Sequence, residues 1–170
     1  MERNNGMRPQ DIAILLKLLQ WKDRSWRKKD LAEALFISPA EVGHSLNRSQ
    51  LAGLVDGEQK KVMRQSFIEF LFHGVAYVFP TRPGSITIGI PTAHSAPVLN
   101  QSIISGEPVV WPYAQGKVRG QGIEPLYKGA IDASLADEAF YDLLCLCDIL
   151  RIGKVREKTM AREILLKRLQ

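Results

Sequence analysis

The stretch DLAEALFISPAEV, residues 30–42, decides the fold of the first third of the chain. Its first half has apolar residues at the spacing of one helical face, namely Leu31, Ala32 and Leu35. Its second half begins a new helix, because Ser38 is a good N-cap and Pro39 supplies the φ of a first helical residue. Glu41 is expected to complete a capping box with Ser38. Two short helices joined by a tight turn are therefore predicted here.

The flanking sequence extends this unit to three helices. Upstream, Pro9 begins a helix with apolar residues at Ile12, Leu15, Leu16 and Leu19. Ile14 and Leu18 widen this stripe, so we expect the helix to pack on two sides. Downstream, the helix that begins at Pro39 directs Val42 and Leu46 inward. Residues 51–55 leave this helix, and Asp56-Gly57 is a strong turn.

Residues 30–42 resemble the helix-turn-helix of bacterial winged-helix transcriptional regulators, the MarR-like group among them. Trp26 before them and LAGLV (51–55) after them share in this resemblance. The resemblance covers about residues 8–57. Phe36 stands where such proteins often have glycine, which predicts a distorted turn or a phenyl ring in the core. No clear two-stranded wing follows Asp56-Gly57, so the wing is expected to be absent or very short.

The resemblance implies that the third helix lies in the major groove of duplex DNA. It assigns Asn47 to an adenine edge and Arg48 to a guanine edge or a phosphate. The full set of DNA-binding residues predicted in this way is Arg27, Lys28, Lys29, Ser38, Ala40, Gly43, His44, Asn47 and Arg48. Exposed polar residues look the same on any surface helix, and a helix-turn-helix can also be a structural or protein-binding module.

The distribution of charge agrees with a nucleic-acid partner for the first part of the chain. Residues 1–64 contain 12 Lys/Arg and 8 Asp/Glu, residues 65–133 contain 4 of each, and residues 134–170 contain 7 and 6. Most of the net charge of +5 thus belongs to the segment that resembles a DNA-binding unit. The signal is weak alone, because many small domains are mildly basic without binding nucleic acid.

The middle of the chain combines a helix with short strands. A helix is predicted over residues 59–73, with Met63, Phe67, Phe70 and Leu71 on one face; it packs either against its mate in a two-fold dimer or within one subunit. Residues 75–79 have β-rich composition, and residues 85–90 alternate with a period of two, which predicts a hairpin or small sheet. Residues 91–130 are expected to pack through turns and short strands.

The C-terminal segment predicts a helical hairpin. Ser134 is expected to cap its first helix, with Asp137 in the first turn. Phe140, Leu143, Leu144 and Cys147 lie on the inward face, and Gly153 ends the helix. A second helix is predicted from Val155 to Leu169. Cys145 and Cys147 are interpreted as buried thiols in a reducing cytosol.

The sequence contains no pattern typical of an enzyme. His94 and Ser95 are neighbours in a proline-flanked loop, and adjacent residues do not supply the geometry of a base and its nucleophile. The three histidines form no ligand spacing for a metal, and no phosphate loop or dinucleotide fingerprint occurs. The loop is interpreted as a hydrogen-bonded structural turn or a partner contact. We therefore expect no enzymatic activity, no metal and no cofactor.

The sequence thus predicts an α+β fold in three parts: a winged-helix-like DNA-binding domain (1–57), a helix with a small irregular β-rich segment (58–133) and a C-terminal helical hairpin (134–170). The expected function is that of a cytoplasmic, sequence-specific transcriptional regulator that binds double-stranded DNA as a homodimer. No membrane segment is expected. The alternative is an antitoxin-like or scaffold protein that binds a protein partner through residues 74–170.

Overall fold

A computed structural model describes residues 5–99 and 106–170. Over these two ranges the chain forms eight α-helices and three strands, which confirms the predicted α+β class. The helices are α1 (Pro9–Trp21), α2 (Lys28–Leu35), α3 (Pro39–Leu51), α4 (Arg64–His73), α5 (Val75–Val78), α6 (Ala130–Ala136), α7 (Glu138–Ile152) and α8 (Val155–Arg168). The strands are β1 (Ile86–Pro91), β2 (Val109–Pro112) and β3 (Val118–Gly122).

Helix α1 is the centre of the fold. Every residue from Asp11 to Leu19 is buried, so the buried surface is wider than the apolar stripe predicted from the sequence and includes the charged Asp11 and Lys17. A helix that is enclosed on all sides needs partners on all sides. Helices α2 and α3 contact α1, and α7 contacts it as well. One continuous cluster of buried apolar residues therefore runs through all three parts of the chain.

Helices α2 and α3 begin where the sequence predicts. Pro39 is the first residue of α3, and the Ser38 hydroxyl accepts a hydrogen bond from the Glu41 amide at 3.1 Å. The second hydrogen bond of the predicted capping box is not formed, because the Glu41 carboxylate does not accept from the Ser38 amide. It accepts hydrogen bonds from Arg48 and Gln10 instead.

The turn between α2 and α3 is regular despite its phenylalanine. Phe36 adopts the left-handed conformation, with φ of 56° and ψ of 43°, which glycine adopts at lower cost. These angles are the ordinary ones for a left-handed helix cap, so the distorted turn expected for Phe36 is not found. The core position is not found either, because the phenyl side chain is 54% exposed. The buried Tyr127 hydroxyl donates to the Leu35 carbonyl at 3.0 Å and so satisfies one backbone acceptor at the end of α2.

A short hairpin, not a helix, follows α3. Val55 and Val62 form an antiparallel bridge, and the Asp56 amide donates to the Lys61 carbonyl at 3.0 Å. The helix predicted to begin near residue 59 begins only at Arg64. The Asp56 side chain explains this difference, because its carboxylate accepts from the amides of Lys60 and Lys61 and thereby stabilises the turn.

Helix α4 is amphipathic, with a narrower buried face than the sequence suggests. Phe67 and Leu71 are buried, whereas Met63, predicted on the same inward face, precedes the helix and is 47% exposed. The strand predicted over residues 75–79 is wrong, since residues 75–78 form the helical turn α5. The amides of Tyr77 and Val78 bind the Gly74 carbonyl, and α5 packs on α7. Helical continuity after α4 and this packing override the β propensity of the segment.

The strands form a sheet that closes on itself. Strand β1 pairs antiparallel with both β2 and β3, and β2 pairs parallel with β3. The predicted strand over residues 85–90 and the predicted packing of residues 91–130 by turns and short strands are confirmed for the described residues. Closure brings backbones together at Gly89, where a Cβ atom would lie only 1.9 Å from the Trp111 carbonyl oxygen.

A buried carboxylate joins this sheet to α7. Asp148 accepts hydrogen bonds from Thr92 Oγ1 at 2.7 Å, Trp111 Nε1 at 2.8 Å and Arg151 Nη1 at 2.9 Å. Burial raises the pKa of this carboxyl, and the three donors oppose the shift. Both cysteines lie nearby in α7 as buried free thiols, as predicted.

The C-terminal helices are confirmed, with one correction at their start. Ser134 lies within α6 and does not cap α7. Asp137 is the N-cap, and its carboxylate accepts from the Phe140 amide at 3.0 Å. Gly153 ends α7, and α8 packs against α7 to form the helical hairpin.

The same Asp137 carboxylate joins α7 to α1. Lys17 of α1 is buried, and its Nζ lies 2.6 Å from Asp137 Oδ2. Burial favours the protonated acid, but the hydrogen bonds from Lys17 and Phe140 outweigh burial and lower the pKa of Asp137. The contribution of Asp137 to stability is therefore present above the pKa of the unfolded state and is lost as the pH falls through the lower folded value.

Two substitutions separate the ion pair from the helix cap. Asp137→Asn keeps a capping oxygen but leaves Lys17 buried without its counter-charge. Because Asp137 is partly exposed, we expect a loss at the lower end of the range for a broken buried pair, about 3 kcal/mol in the free energy of unfolding at neutral pH. Asp137→Ala should cost about 1 kcal/mol more, because it also removes the cap. Urea unfolding across pH measures both values. The cost of Asp137→Asn should shrink below about pH 4, and a cost independent of pH would contradict this account.

Candidate nucleic-acid interface

One face of α3 is open to solvent and carries most of the predicted recognition residues. Val42 and Leu46 are fully buried against the core, as predicted. The 3.6-residue period then places the opposite residues outward. Ser38, Ala40, His44 and Asn47 are exposed, and Gly43 is half-buried.

Arg48 is the exception: contact with a guanine edge or a phosphate needs an outward side chain, but the Arg48 side chain points into the fold. Its side chain is only 9% exposed. The guanidinium binds Asp11 through two parallel hydrogen bonds, Nε to Oδ2 at 2.9 Å and Nη2 to Oδ1 at 2.7 Å. Nη2 also lies 2.6 Å from Glu41 Oε1. Asp11 on α1 is fully buried, and a buried carboxylate needs a partner of opposite charge, which Arg48 provides.

In the cluster of Asp11, Glu41 and Arg48, the guanidinium stays charged and is already hydrogen-bonded to two carboxylates. The hydrogen bond to Asp11 raises the pKa of Arg48 despite the opposing effect of burial. Burial alone would raise the pKa of Glu41, but the hydrogen bonds from Arg48 and Gln10 lower it. One guanidinium therefore faces two carboxylates, and contact with a base or a phosphate would require breaking these bonds.

The N-terminus of α2 brings cations to the exposed face of α3. Arg27, Lys28 and Lys29 are exposed, as a phosphate-binding role requires. Arg27 makes a long, exposed ion pair with Asp30 at 3.4 Å. Lys28 approaches α3 directly, because a Cβ atom added to Gly43 would lie 3.6 Å from Lys28 Nζ. Lys28 and Gly43, both predicted for the site, are thus neighbours in space.

A groove of about 660 Å³ runs between the α1–α2 loop and the hairpin after α3. We call it the basic groove, because its lining contains six cationic side chains and only two carboxylates, Asp23 and Glu58. The cations are Lys22, Arg24, Arg27, Lys28, Lys60 and Lys61. Lys60 and Lys61 were not predicted for the site. The Asp56-Gly57 turn is the sequence signal for this position, but the prediction of a helix from residue 59 places both lysines in a helix and not in a hairpin.

A second groove, of about 700 Å³, is lined by residues of the N-terminal segment and of α3. His44 and Asn47 contribute to it, together with Asn5, Arg8, Glu41, Arg48 and Leu51. It is less basic than the first groove, because Glu41 and the occupied Arg48 form part of its wall. The exposed face of α3 is therefore bordered by cations mainly on the side of the basic groove.

The hairpin is also hydrogen-bonded to α3 through side chains. Gln59 Nε2 donates to Asn47 Oδ1 at 2.7 Å and to Gln50 Oε1 at 2.8 Å. Gln50 Nε2 in turn donates to the Gly57 carbonyl at 3.0 Å. Gln59 and Gln50 could not be predicted for the site from the sequence, because contacts between a helix and a later loop leave no periodic signal.

The His94-Ser95 loop is hydrogen-bonded as a turn. His94 Nε2 lies 3.1 Å from the Glu107 carbonyl oxygen, and the Ser95 hydroxyl accepts from the Val109 amide at 2.9 Å. In the described ranges, 5–99 and 106–170, no group of three or more His, Cys, Asp or Glu side chains is placed to hold a metal ion.

No protein-family model, curated protein or solved structure matches this chain. Among the helices of the described residues, none has both the length and the apolar character that crossing a bilayer requires.

We expect substitution of Arg48 to lower the stability of the fold. Arg48→Ala leaves Asp11 buried without a counter-charge, so the free energy of unfolding should fall by about 3–5 kcal/mol. The double variant Asp11→Asn/Arg48→Ala should recover part of this loss, because it removes the stranded charge. Chemical denaturation measures both. A single variant as stable as the wild type would show that the pair is not formed in solution.

Proposed function

We propose that this protein binds duplex DNA through α3 and acts as a sequence-specific transcriptional regulator of the winged-helix type. In this proposal the hairpin over residues 54–63 is a short wing. The observation that best supports it is the combination of an exposed face of α3 with the basic groove beside it. A helix of this kind fits the major groove, and cations at its border neutralise the phosphates on either side.

The proposed roles follow from the position of each side chain. Lys28, Lys60 and Lys61 contact phosphates, because they border the basic groove. His44 and Asn47 contact base edges, because they lie on the exposed face of α3. Ala40 and Gly43 on this face are small and let the helix approach the bases closely. Arg48 has no direct role in this proposal, since Asp11 and Glu41 occupy its guanidinium.

We propose further that the active form is a homodimer. A single recognition helix reads a short stretch of base pairs, and regulators with one such helix per subunit gain affinity and specificity by binding two half-sites of a palindrome. A two-fold arrangement of two chains would present two copies of α3 to one face of the duplex.

Fluorescence anisotropy tests the proposal directly. Labelled duplexes from the region upstream of this protein's own gene are titrated at several salt concentrations, with scrambled duplexes of equal length for comparison. The upstream duplex should bind more tightly, and its binding should weaken steeply as salt is added. Equal and feeble binding to both duplexes would reject sequence-specific DNA binding.

Two lysine substitutions test the basic groove. Lys28→Ala and Lys61→Ala should each weaken binding to all sequences and reduce the slope of log K against log salt by about 1, since each removes one phosphate contact. Lys117→Ala is the matched control, because Lys117 is an exposed lysine outside the groove, between β2 and β3. If the control changes the slope as much as the other two variants, the basic groove is not the binding surface.

A second candidate is binding of a protein partner through residues 74–170. It is favoured by apolar side chains exposed in that region, namely Tyr77 and Val155, each 84% exposed, and Val78. A partner that co-purifies with the wild type should be lost from a Tyr77→Ser/Val78→Ser variant and kept by Lys28→Ala. The opposite pattern would reject this candidate.

A further inference from the structure

Three carboxamides link the hairpin to the exposed face of α3 in a single chain of hydrogen bonds. Gln50 donates to the Gly57 carbonyl, and Gln59 donates to both Gln50 and Asn47. The distances between nitrogen and oxygen are 3.0, 2.8 and 2.7 Å in that order. Asn47 is the residue proposed to contact a base edge. The hairpin therefore holds its side-chain carboxamide through Gln59.

The direction of this chain is fixed by its first acceptor. The two ends of a carboxamide have nearly the same shape, so hydrogen bonding decides which end faces a neighbour. A backbone carbonyl only accepts, so Gln50 must turn its NH₂ group toward Gly57 and its oxygen toward Gln59. Gln59 must then donate through Nε2, and its second N–H reaches Asn47. Asn47 accepts through Oδ1, and no other orientation satisfies all three bonds.

This orientation determines what Asn47 presents to solvent. Asn47 is exposed, and its Nδ2 donates to none of the described residues. Two N–H donors therefore face outward, while Oδ1 is directed to the hairpin. In the major groove adenine offers the N7 acceptor beside the N6 donor, so a two-bond match to adenine requires both ends of the amide. Guanine offers two acceptors, N7 and O6, which match the two donors.

We propose that Gln59 is a specificity-determining residue that holds the Asn47 carboxamide with its donors outward, so that Asn47 reads guanine rather than adenine. The inference rests on the proposed binding of duplex DNA and deepens it. It assigns Asn47 to guanine, where the resemblance to winged-helix regulators implied adenine. Gln59 acts here through Asn47 and is a positioning residue.

Selection of binding sites from a randomised duplex library tests this inference. The wild type, Asn47→Ala, Gln59→Ala and Gln59→Asn are each taken through selection and sequencing. Gln59 has φ of 57°, and asparagine tolerates this left-handed backbone but is one methylene too short to bridge Gln50 and Asn47. The second Gln59 variant thus guards against a folding defect of the first. Gln65→Ala, on α4, is the matched control for loss of an exposed glutamine.

The base pair read by Asn47 is the one whose preference disappears in Asn47→Ala and persists in Gln65→Ala. The wild type should select guanine there. In both Gln59 variants the side-chain carboxamide of Asn47 can rotate and present its oxygen as well as its NH₂ group to a base. The ratio of adenine to guanine at that base pair should therefore rise roughly fivefold or more. Preferences at the other positions should remain, because the phosphate contacts and the rest of α3 are unchanged.

Three outcomes overturn the inference. Adenine selected by the wild type at that base pair would reject the assigned orientation of Asn47. An unchanged preference for guanine in both Gln59 variants would reject the role of Gln59 while leaving DNA binding intact. Failure of the wild type to enrich any sequence would reject the proposed function, and this inference would fall with it.

Discussion

The structure depends on the burial of α1 from Asp11 to Leu19, because this stretch contains two opposite charges. Asp11 and Lys17 are both buried in this largely apolar stretch, and each needs a partner because an unpaired buried charge is very costly. Asp11 forms an ion pair with Arg48 of α3, and Lys17 forms one with Asp137 at the start of α7. The two pairs point to different parts of the chain, so α1 fixes the position of α3 on one side and of α7 on the other.

This arrangement limits what the exposed face of α3 can do. Because Arg48 is used inside the fold, the cations beside α3 come from the loops around it and from the start of α2. The hairpin supplies Lys60 and Lys61, and the Asp56 carboxylate stabilises its turn. A surface built in this way separates two tasks: the lysines of the hairpin and of the start of α2 are available for phosphates, and His44 and Asn47 on α3 are available for bases.

Local signals in the sequence were sufficient for the helices that begin and end at strong caps. Pro9, Ser38 and Gly153 lie at the boundaries that they predict, and the period of two located β1. Features that depend on distant partners could not be predicted. Arg48 resembles any surface arginine until Asp11, 37 residues away, is known to be buried beside it. Residues 75–79 have strand composition, yet packing on α7 makes them helical.

An NMR titration of the labelled 19.1 kDa protein with a selected duplex tests the central claim most directly. If α3 and the basic groove bind DNA, the amide resonances that shift should belong to α3, to the start of α2 around Lys28 and to the hairpin around Lys61. Resonances of the sheet and of α8 should stay in place. Shifts confined to residues 74–170, or none at saturating duplex, would contradict the account.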